Sequence, residues 1–215
     1  MPTIRNITYP IHPSKRIFDI VFSLLILTFC SPIIIFFLIG IVLEHIMRMR
    51  PLDPLFYSET RLSQGEPFTL YKFNIFKHEI VEDMRKRGEF IYTKQLERNG
   101  SLIFMGKILK QIYLDELPQF FNILRGDMSV VGPRPVNREV HKLLHSQGVI
   151  DKDKVKAGLT GYYQQLHKYS RGISQEQADK MYVEYYSSHP WYKILLFDIK
   201  IILRTVKVLL VAKGV

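Results

Sequence analysis

Residues 20–43 read IVFSLLILTFCSPIIIFFLIGIVL and contain no charged side chain. An α-helix needs about 20 apolar residues to cross the hydrocarbon core of a bilayer, and this run is longer. It also exceeds the apolar core of a secretory signal, and no convincing small-residue cleavage site follows it. A soluble helix of this length would normally carry a polar face. The run therefore predicts a membrane helix.

Two features argue against a simple span. Ser31 and Pro32 lie in the middle of the run, where proline removes a helix hydrogen bond and predicts a kink or break. The Ser31 hydroxyl is a local candidate partner for a freed carbonyl. Basic residues flank both ends and favour the cytoplasmic side for each: Lys15, Arg16, Arg48 and Arg50. A re-entrant helix–break–helix over residues 15–50 satisfies both features, and a kinked spanning helix is the alternative.

The whole chain has 215 residues and a net charge of +10, which favours anionic partners. Lipid headgroups, phosphorylated substrates and nucleic acid all qualify on charge alone. The positive charge is spread along membrane-facing elements and no nucleic-acid-binding motif is present, so we expect no nucleic-acid partner. The single cysteine, Cys30, excludes an intrachain disulfide and reads as a small buried apolar residue.

Outside the membrane run, the sequence predicts a mostly α-helical fold with a small β element. We expect an irregular lead-in at residues 1–14, a compact cytoplasmic domain at residues 51–190 and an interfacial helix at residues 191–215. Apolar spacing and turn residues place strands at residues 55–57 and 68–73 and helices at residues 76–88, 102–111, 117–124 and 175–187. Glycine and prolines predict irregular backbone at residues 130–135.

The C-terminal helix is amphipathic. Its four basic residues fall on one narrow helical face: Lys193, Lys200, Arg204 and Lys207. With Trp191 and Tyr192 at headgroup level, this pattern is typical of a helix lying in the membrane interface. The alternative is an ordinary amphipathic helix packed on the domain. Asp198 lies off the basic face, and a buried partner is one explanation for it.

Asp115 and Glu116 are adjacent carboxylates between apolar residues, shortly before Pro118. Proline suits the first turn of a helix, and anions near a helix N-terminus are stabilised by its dipole. An ionised Asp115 would serve as a nucleophile or bind a cation. The alternative is that the two carboxylates only cap the following helix.

Arg134 is the strongest candidate for binding phosphate. Pro133 and Pro135 restrict its backbone, and a pre-positioned guanidinium matches two phosphate oxygens. Further positive charge comes from Arg61, Lys72 and Lys110. Carboxylates and fixed cations beside a membrane segment indicate phosphate chemistry at a lipid surface.

These motifs occur in a recognisable order. They are KRIFD at residues 15–19, the apolar run with Ser-Pro, LYKF at residues 70–73, LDELPQFFNILRGDMSVVGPRP at residues 114–135 and AGLTGYYQ at residues 157–164. In this order the chain resembles the small monotopic phosphoglycosyl transferases, the bacterial sugar transferases that begin glycan assembly on a polyprenyl carrier. The resemblance extends from about Lys15 to the C-terminus, and we expect the minimal form of the family.

The resemblance implies a function. The residue matching the motif aspartate, Asp115, would attack the sugar-linked phosphate of a UDP-sugar, release UMP and pass the phospho-sugar to polyprenyl (undecaprenyl) phosphate. Glu116 would complete the dyad, and Mg²⁺ held by Asp115 and Glu116 would neutralise the diphosphate. The expected partners are UDP-sugar, polyprenyl phosphate and anionic membrane lipids, on the cytoplasmic face of the bacterial inner membrane. A re-entrant helix kinked at Ser31-Pro32 is also implied, and a homo-oligomer is compatible with the sequence.

The chain departs from the family pattern near the expected phosphate site. Asn74 follows LYKF where the family usually has arginine, Lys110 replaces another arginine, and Tyr113 stands before LDE in place of serine. A lysine keeps the charge but not the bidentate fork of arginine. These differences leave the donor sugar open. They also leave an alternative function, a catalytically weak or inactive membrane scaffold for glycan-assembly enzymes.

Overall fold

The computed structural model describes residues 8–47, 55–77, 100–111, 113–166 and 172–212, with 79, 82 and 86 as isolated positions. The helices in these residues are α1 (Pro13–Met47), α2 (Phe104–Gln111), α3 (Gln119–Arg125), α4 (Arg138–Ser146), α5 (Tyr162–Leu166), α6 (Gln175–Ser188) and α7 (Trp191–Ala212). The strands are β1 (Phe56–Ser63), β2 (Glu66–Phe73), β3 (Ser129–Val131) and β4 (Gly158–Thr160). Short 3₁₀ helices span Leu114–Glu116 and Asp151–Asp153. The predicted mostly helical fold with a small β element is confirmed.

The chain forms two compact units. The first contains the described residues of Met1–Leu24, Glu59–Leu70 and Phe120–Val215, and the second contains those of Leu25–Ser58 and Tyr71–Gln119. The division of the chain at residues 14, 50 and 190 remains a prediction. The helix predicted at residues 76–88 falls largely outside the described residues, as do Arg48 and Arg50.

Helix α1 is continuous from Pro13 to Met47, with Pro32 inside it. The predicted separation into two helices at Ser31-Pro32 is therefore replaced by a single helix. Proline removes the amide that would bond to the carbonyl of Thr28, and the Ser31 hydroxyl donates to that carbonyl at 2.8 Å instead. Much of the helix surface is apolar and exposed, with Phe29 80% exposed. Among the described residues, α1 is the helix long and apolar enough to cross a bilayer.

The predicted strands at residues 55–57 and 68–73 belong to the hairpin of β1 and β2. Gln64 and Gly65 form its turn, with φ angles of 56° and 80°. Two consecutive left-handed residues match the twist of a two-residue hairpin. The hairpin brings Lys72, near the end of β2, into a buried position.

Strands β3 and β4 pair in parallel, with Ser129 opposite Gly158 and Val131 opposite Thr160. The prediction of irregular backbone from residue 130 is therefore wrong for residues 130 and 131. Pairing with a segment almost 30 residues later is a non-local effect, which the local glycine and proline signals do not contain. A side chain at Gly158 would collide with the backbone of Gly132, so this close approach requires glycine.

The helices after β4 follow the sequence patterns. The Ser174 side chain caps α6 by accepting a hydrogen bond from the amide of Gln177. The Gln177 side chain in turn accepts from the amide of Ser174, which completes a capping box. Helix α7 packs one face inward through Ile194, Asp198 and Ile201. The predicted amphipathic C-terminal helix is thus present and partly docked on its own unit.

Candidate active site

The dyad lies in the 3₁₀ helix Leu114–Glu116, in the second unit. Tyr113 precedes it with a φ angle of 60°, in the left-handed region that aromatic residues rarely adopt. This residue separates α2 from the 3₁₀ helix that carries the carboxylates. Leu117 and Pro118 are buried on the other side. The carboxylates are therefore held by a short, strongly constrained segment.

Asp115 is almost completely buried, with 2% of its surface exposed. Its Oδ2 atom lies 3.4 Å from Nζ of Lys110, and its buried Oδ1 atom has no hydrogen-bond partner among the described residues. Burial raises the pKa of the Asp115 carboxyl above its usual range, and Lys110 opposes that rise most strongly. An unpaired buried carboxylate oxygen is costly, and such atoms are typical of reactive or ligand-binding sites. Neither oxygen of Asp115 accepts from a backbone amide of the following helix among the described residues, and the choice between a catalytic dyad and a helix cap stays a prediction.

A second lysine–carboxylate pair lies beside the first. Nζ of Lys72 is 3.5 Å from Oε1 of Glu116, and both side chains are largely buried. Asp115 and Glu116 are adjacent in the chain, so the two lysine–carboxylate pairs lie next to each other. This arrangement places two ammonium groups, which can bind an anionic phosphate, beside carboxylates of the kind that can act as nucleophiles.

The dyad is flanked by apolar residues of the long helix α1. Leu114 and Leu117, on either side of the carboxylates, line an apolar cavity together with Phe37 and Ile41 of α1. Glu44 of α1 accepts from the first two amides of α2, those of Phe104 and Met105 at 3.3 Å each. The second unit therefore joins the carboxylate-bearing segment directly to the apolar helix.

The donor set fits a hard divalent cation. Mg²⁺ is bound in proteins through one or two carboxylates together with substrate phosphates and water. The unpaired Oδ1 of Asp115 and the adjacent Glu116 provide oxygen donors of this kind. The predicted magnesium site remains a proposal.

Arg134 belongs to the first unit and its side chain is exposed. Its segment is held by backbone hydrogen bonds on both sides: the amide of Gly158 donates to the carbonyl of Pro133, and the amide of Leu62 donates to that of Val136. Nζ of Lys152 donates to the carbonyl of Arg134 at 3.3 Å. The predicted restriction of the backbone is therefore reinforced by tertiary contacts.

The structure thus brings four predicted site residues together, namely Lys72, Lys110, Asp115 and Glu116. Arg61 lies in the first unit, where its guanidinium is 2.8 Å from Glu59 on the same strand. The binding of phosphate by Arg61 and Arg134 stays a prediction.

The unusual Asn74 has a local backbone role. Its side-chain oxygen accepts from the amide of Phe76 at 3.2 Å, and its own amide donates to the carbonyl of Leu55. These bonds fix the exit of β2, two residues after Lys72. An asparagine at this position therefore has a structural function that an arginine would not reproduce.

The role of the KRIFD segment was not apparent from the sequence. Lys15 is buried and paired with Asp198 of α7, while Asp19 accepts from the amide of Val130 at 3.1 Å. Arg16 donates to the carbonyls of Ile123 and Leu124 at the end of α3. The expected buried partner of Asp198 is confirmed. The basic residues before the membrane run are thus engaged within the first unit.

The fold and the site define a class of protein: one with a long apolar helix and a carboxylate dyad paired with two lysines. The chain belongs to the bacterial sugar transferase family, whose model matches residues 11–212.

Relatives of this chain include both small and larger proteins. It is 31% identical over 202 residues to the Uncharacterized sugar transferase EpsL of Bacillus subtilis, covering 94% of this chain and 89% of EpsL. It is 31% identical over 210 residues to the Undecaprenyl-phosphate galactose phosphotransferase of Salmonella typhimurium, covering 93% and 41%. It is 30% identical over 197 residues to the UDP-glucose:undecaprenyl-phosphate glucose-1-phosphate transferase of Escherichia coli, covering 89% and 39%. The chain spans about two fifths of the length of these last two relatives.

Proposed function

We propose that the protein transfers a phospho-sugar from a UDP-sugar to undecaprenyl phosphate, as the first membrane step of polysaccharide assembly. The family assignment and the names of the relatives support this reaction. The observation that carries it is the Asp115 carboxylate, buried beside the apolar helix, with one oxygen near Lys110 and the other without a hydrogen-bond partner in the described part of the chain.

The proposed reaction has two displacement steps. In the first, a carboxylate oxygen of Asp115 forms a bond to the sugar-linked phosphorus, and the bond from that phosphorus to UMP breaks. UMP leaves with the electron pair of the broken bond. In the second, an oxygen of undecaprenyl phosphate bonds to the same phosphorus and the Asp115 carboxylate leaves, which regenerates the enzyme. Covalent catalysis divides one difficult transfer into two easier steps.

The lysines have a positioning role in this scheme. Lys110 and Lys72 are near carboxylates in the free protein, at 3.4 and 3.5 Å, so an arriving diphosphate competes for the same ammonium groups. If the two lysines released their carboxylates and bound the diphosphate instead, Asp115 would be free to attack. Arg134 would bind donor phosphate through its two-pronged guanidinium. Asp115 and Glu116 would hold Mg²⁺, which would neutralise part of the negative charge of the diphosphate.

We further propose that α1 enters and leaves the membrane on the cytoplasmic side. Near one end, Arg16 bonds to carbonyls of α3; near the other, Glu44 bonds to amides of α2. The segment between α2 and α3, residues 112–118, is short and contains the charged Asp115 and Glu116, so it lacks a run able to cross a bilayer. Both helix ends are therefore expected on one side, where the nucleotide sugar is available.

Helix α7 supports the same placement at the membrane surface. An exposed apolar stripe of about one residue per helical turn consists of Tyr192, Leu196, Ile199, Leu203 and Val206. The four exposed basic residues lie beside this stripe, and the buried face lies on the opposite side. Such a helix can dock on its own unit and still place apolar side chains among lipids and basic side chains at anionic headgroups.

The reaction is tested with purified protein in nanodiscs containing undecaprenyl phosphate and a panel of UDP-sugars. The wild type should release UMP and form a covalent phospho-sugar adduct. Asp115→Asn keeps the size of the side chain and removes the attacking charge, so both products should be lost. Glu66→Gln is the control, because Glu66 is an exposed carboxylate on β2.

Wild-type turnover in Asp115→Asn would defeat the assignment of the nucleophile. Absence of UMP release from every UDP-sugar by the wild type would defeat the proposed activity and favour the scaffold function.

A further inference from the structure

A cluster of two histidines and an aspartate lies in the first unit, among residues that the proposed reaction does not use. His141 and His145 are one turn apart on α4, and both direct Nε2 at the carboxylate of Asp153. His141 Nε2 is 2.8 Å from Oδ1, and His145 Nε2 is 2.6 Å from Oδ2. The ligand atoms of the three residues all lie within 4.8 Å of one another.

The donor set is that of a transition-metal site. Imidazole nitrogens and a carboxylate are common ligands of Zn²⁺, at bond lengths of about 2.0–2.2 Å. Ligand atoms around a tetrahedral ion with such bonds are about 3.3 Å apart. The present nitrogen–oxygen distances therefore need to open by only about half an ångström for an ion to replace the two shared protons. The two imidazole rings are already close, with centroids 4.1 Å apart.

Burial at the cluster is graded in a way that suits a bound ion. The Asp153 side chain is 4% exposed, His141 is 17% exposed and His145 is 34% exposed. The buried carboxylate of Asp153 supplies negative charge. The more exposed side of the cluster, at His145, is open to a water molecule that would be the fourth ligand of the ion. A surface pocket borders His141 and is lined also by Leu62, Pro67, Arg138 and Lys142.

We propose that His141, His145 and Asp153 bind one divalent transition-metal ion of the zinc type. The ion fastens α4 to the 3₁₀ helix Asp151–Asp153. Lys152, in the middle of that 3₁₀ helix, pairs with Asp179 of α6 and donates to the carbonyl of Arg134. Metal binding at this site thereby stiffens the backbone that carries Arg134.

The test uses tag-free, metal-depleted protein in detergent, titrated with Zn²⁺ in competition with a chromogenic chelator. The wild type should bind one equivalent, and Co²⁺ in its place should give the visible absorption of a tetrahedral nitrogen–oxygen site. Zn²⁺ should also raise the thermal unfolding midpoint of the wild type, because an ion that binds only the folded state stabilises it. Millimolar Mg²⁺ should not compete, since a site with two imidazoles favours the softer ion.

His145→Gln and Asp153→Asn should each weaken Zn²⁺ binding by more than about tenfold, since even second-shell changes cost about 10–100-fold in affinity. His189→Gln is the matched control, because His189 contacts Ser188 and Tyr185 at the end of α6. Less than one equivalent of bound Zn²⁺ in the wild type would overturn the proposal. Equal affinity in wild type and His145→Gln would also overturn it, and this exposed position remains informative if Asp153→Asn fails to fold.

Discussion

The buried ion pair between Lys15 and Asp198 leads to a quantitative prediction about stability. Lys15, in the first turn of α1, is 3% exposed and donates to the carbonyl of Val131 at 3.3 Å. Asp198 is fully buried and also accepts from the hydroxyl of Tyr182 at 3.0 Å. The pair thus joins the start of the membrane helix to α7, α6 and β3.

The two partners are not equivalent. Lys15→Met leaves Asp198 buried without its cation, with the carboxylate of Asp19 nearby. Removing one member of a buried pair costs about 3–5 kcal/mol, and we expect the lysine variant to fall in this range. Asp198→Asn keeps an acceptor for Tyr182 and Lys15, and the carboxylate of Asp19 remains near the buried Lys15 cation, so its cost should be that of a charged hydrogen bond, about 1.5–3 kcal/mol.

The assay is thermal unfolding in detergent, followed by the fluorescence of Trp191, the single tryptophan. At about 2–4 °C per kcal/mol for a chain of this size, Lys15→Met should lower the midpoint by about 6–20 °C. Asp198→Asn should lower it less. Lys193→Met is the control, since Lys193 is exposed on α7. A midpoint for Lys15→Met equal to that of the control would refute the reasoning.

Three further predictions concern the donor site and the membrane helix. Arg134→Lys should lower the transfer rate at subsaturating UDP-sugar by about 10–100-fold, the equivalent of one charged hydrogen bond of about 1.5–3 kcal/mol; an unchanged rate would count against phosphate binding by Arg134. Asn74→Arg should change the order of preference among UDP-sugars; identical selectivity in competition assays would show that position 74 does not select the sugar. In a Cys30→Ala background, single cysteines replacing Thr8 and Glu66, both exposed, should resist a membrane-impermeant thiol reagent in intact cells. Pro32→Leu restores an amide for the carbonyl of Thr28 and should let the Thr8→Cys site be labelled from the periplasm. Labelling of Thr8→Cys without that change, with Glu66→Cys protected, would contradict re-entrance.

Sequence reasoning identified the local features well. The apolar run, the strands predicted at residues 55–57 and 68–73, the helix predicted at residues 175–187 and the amphipathic C-terminal helix all depend on signals within a few residues. The LDELPQ segment indicated the dyad for the same reason. Strand β3 pairs with the distant β4. The local glycine and proline signals predicted irregular backbone at residues 130 and 131, where the structure has a strand.

The tertiary structure alone decided how the charges are used. The sequence indicated Lys72 and Lys110 as site residues, but not that Lys110 lies near Asp115 and Lys72 near Glu116, nor that Lys15 is the buried partner of Asp198. His141 and His145 have the spacing of one helical turn, a signal in the sequence, but Asp153 joins them only after the chain reverses beyond α4. Composition and periodicity determined which segments are apolar and helical, because burial of apolar surface follows from local pattern. Electrostatic partners depend on side chains far apart in the chain, and only the folded arrangement brings them within a few ångströms.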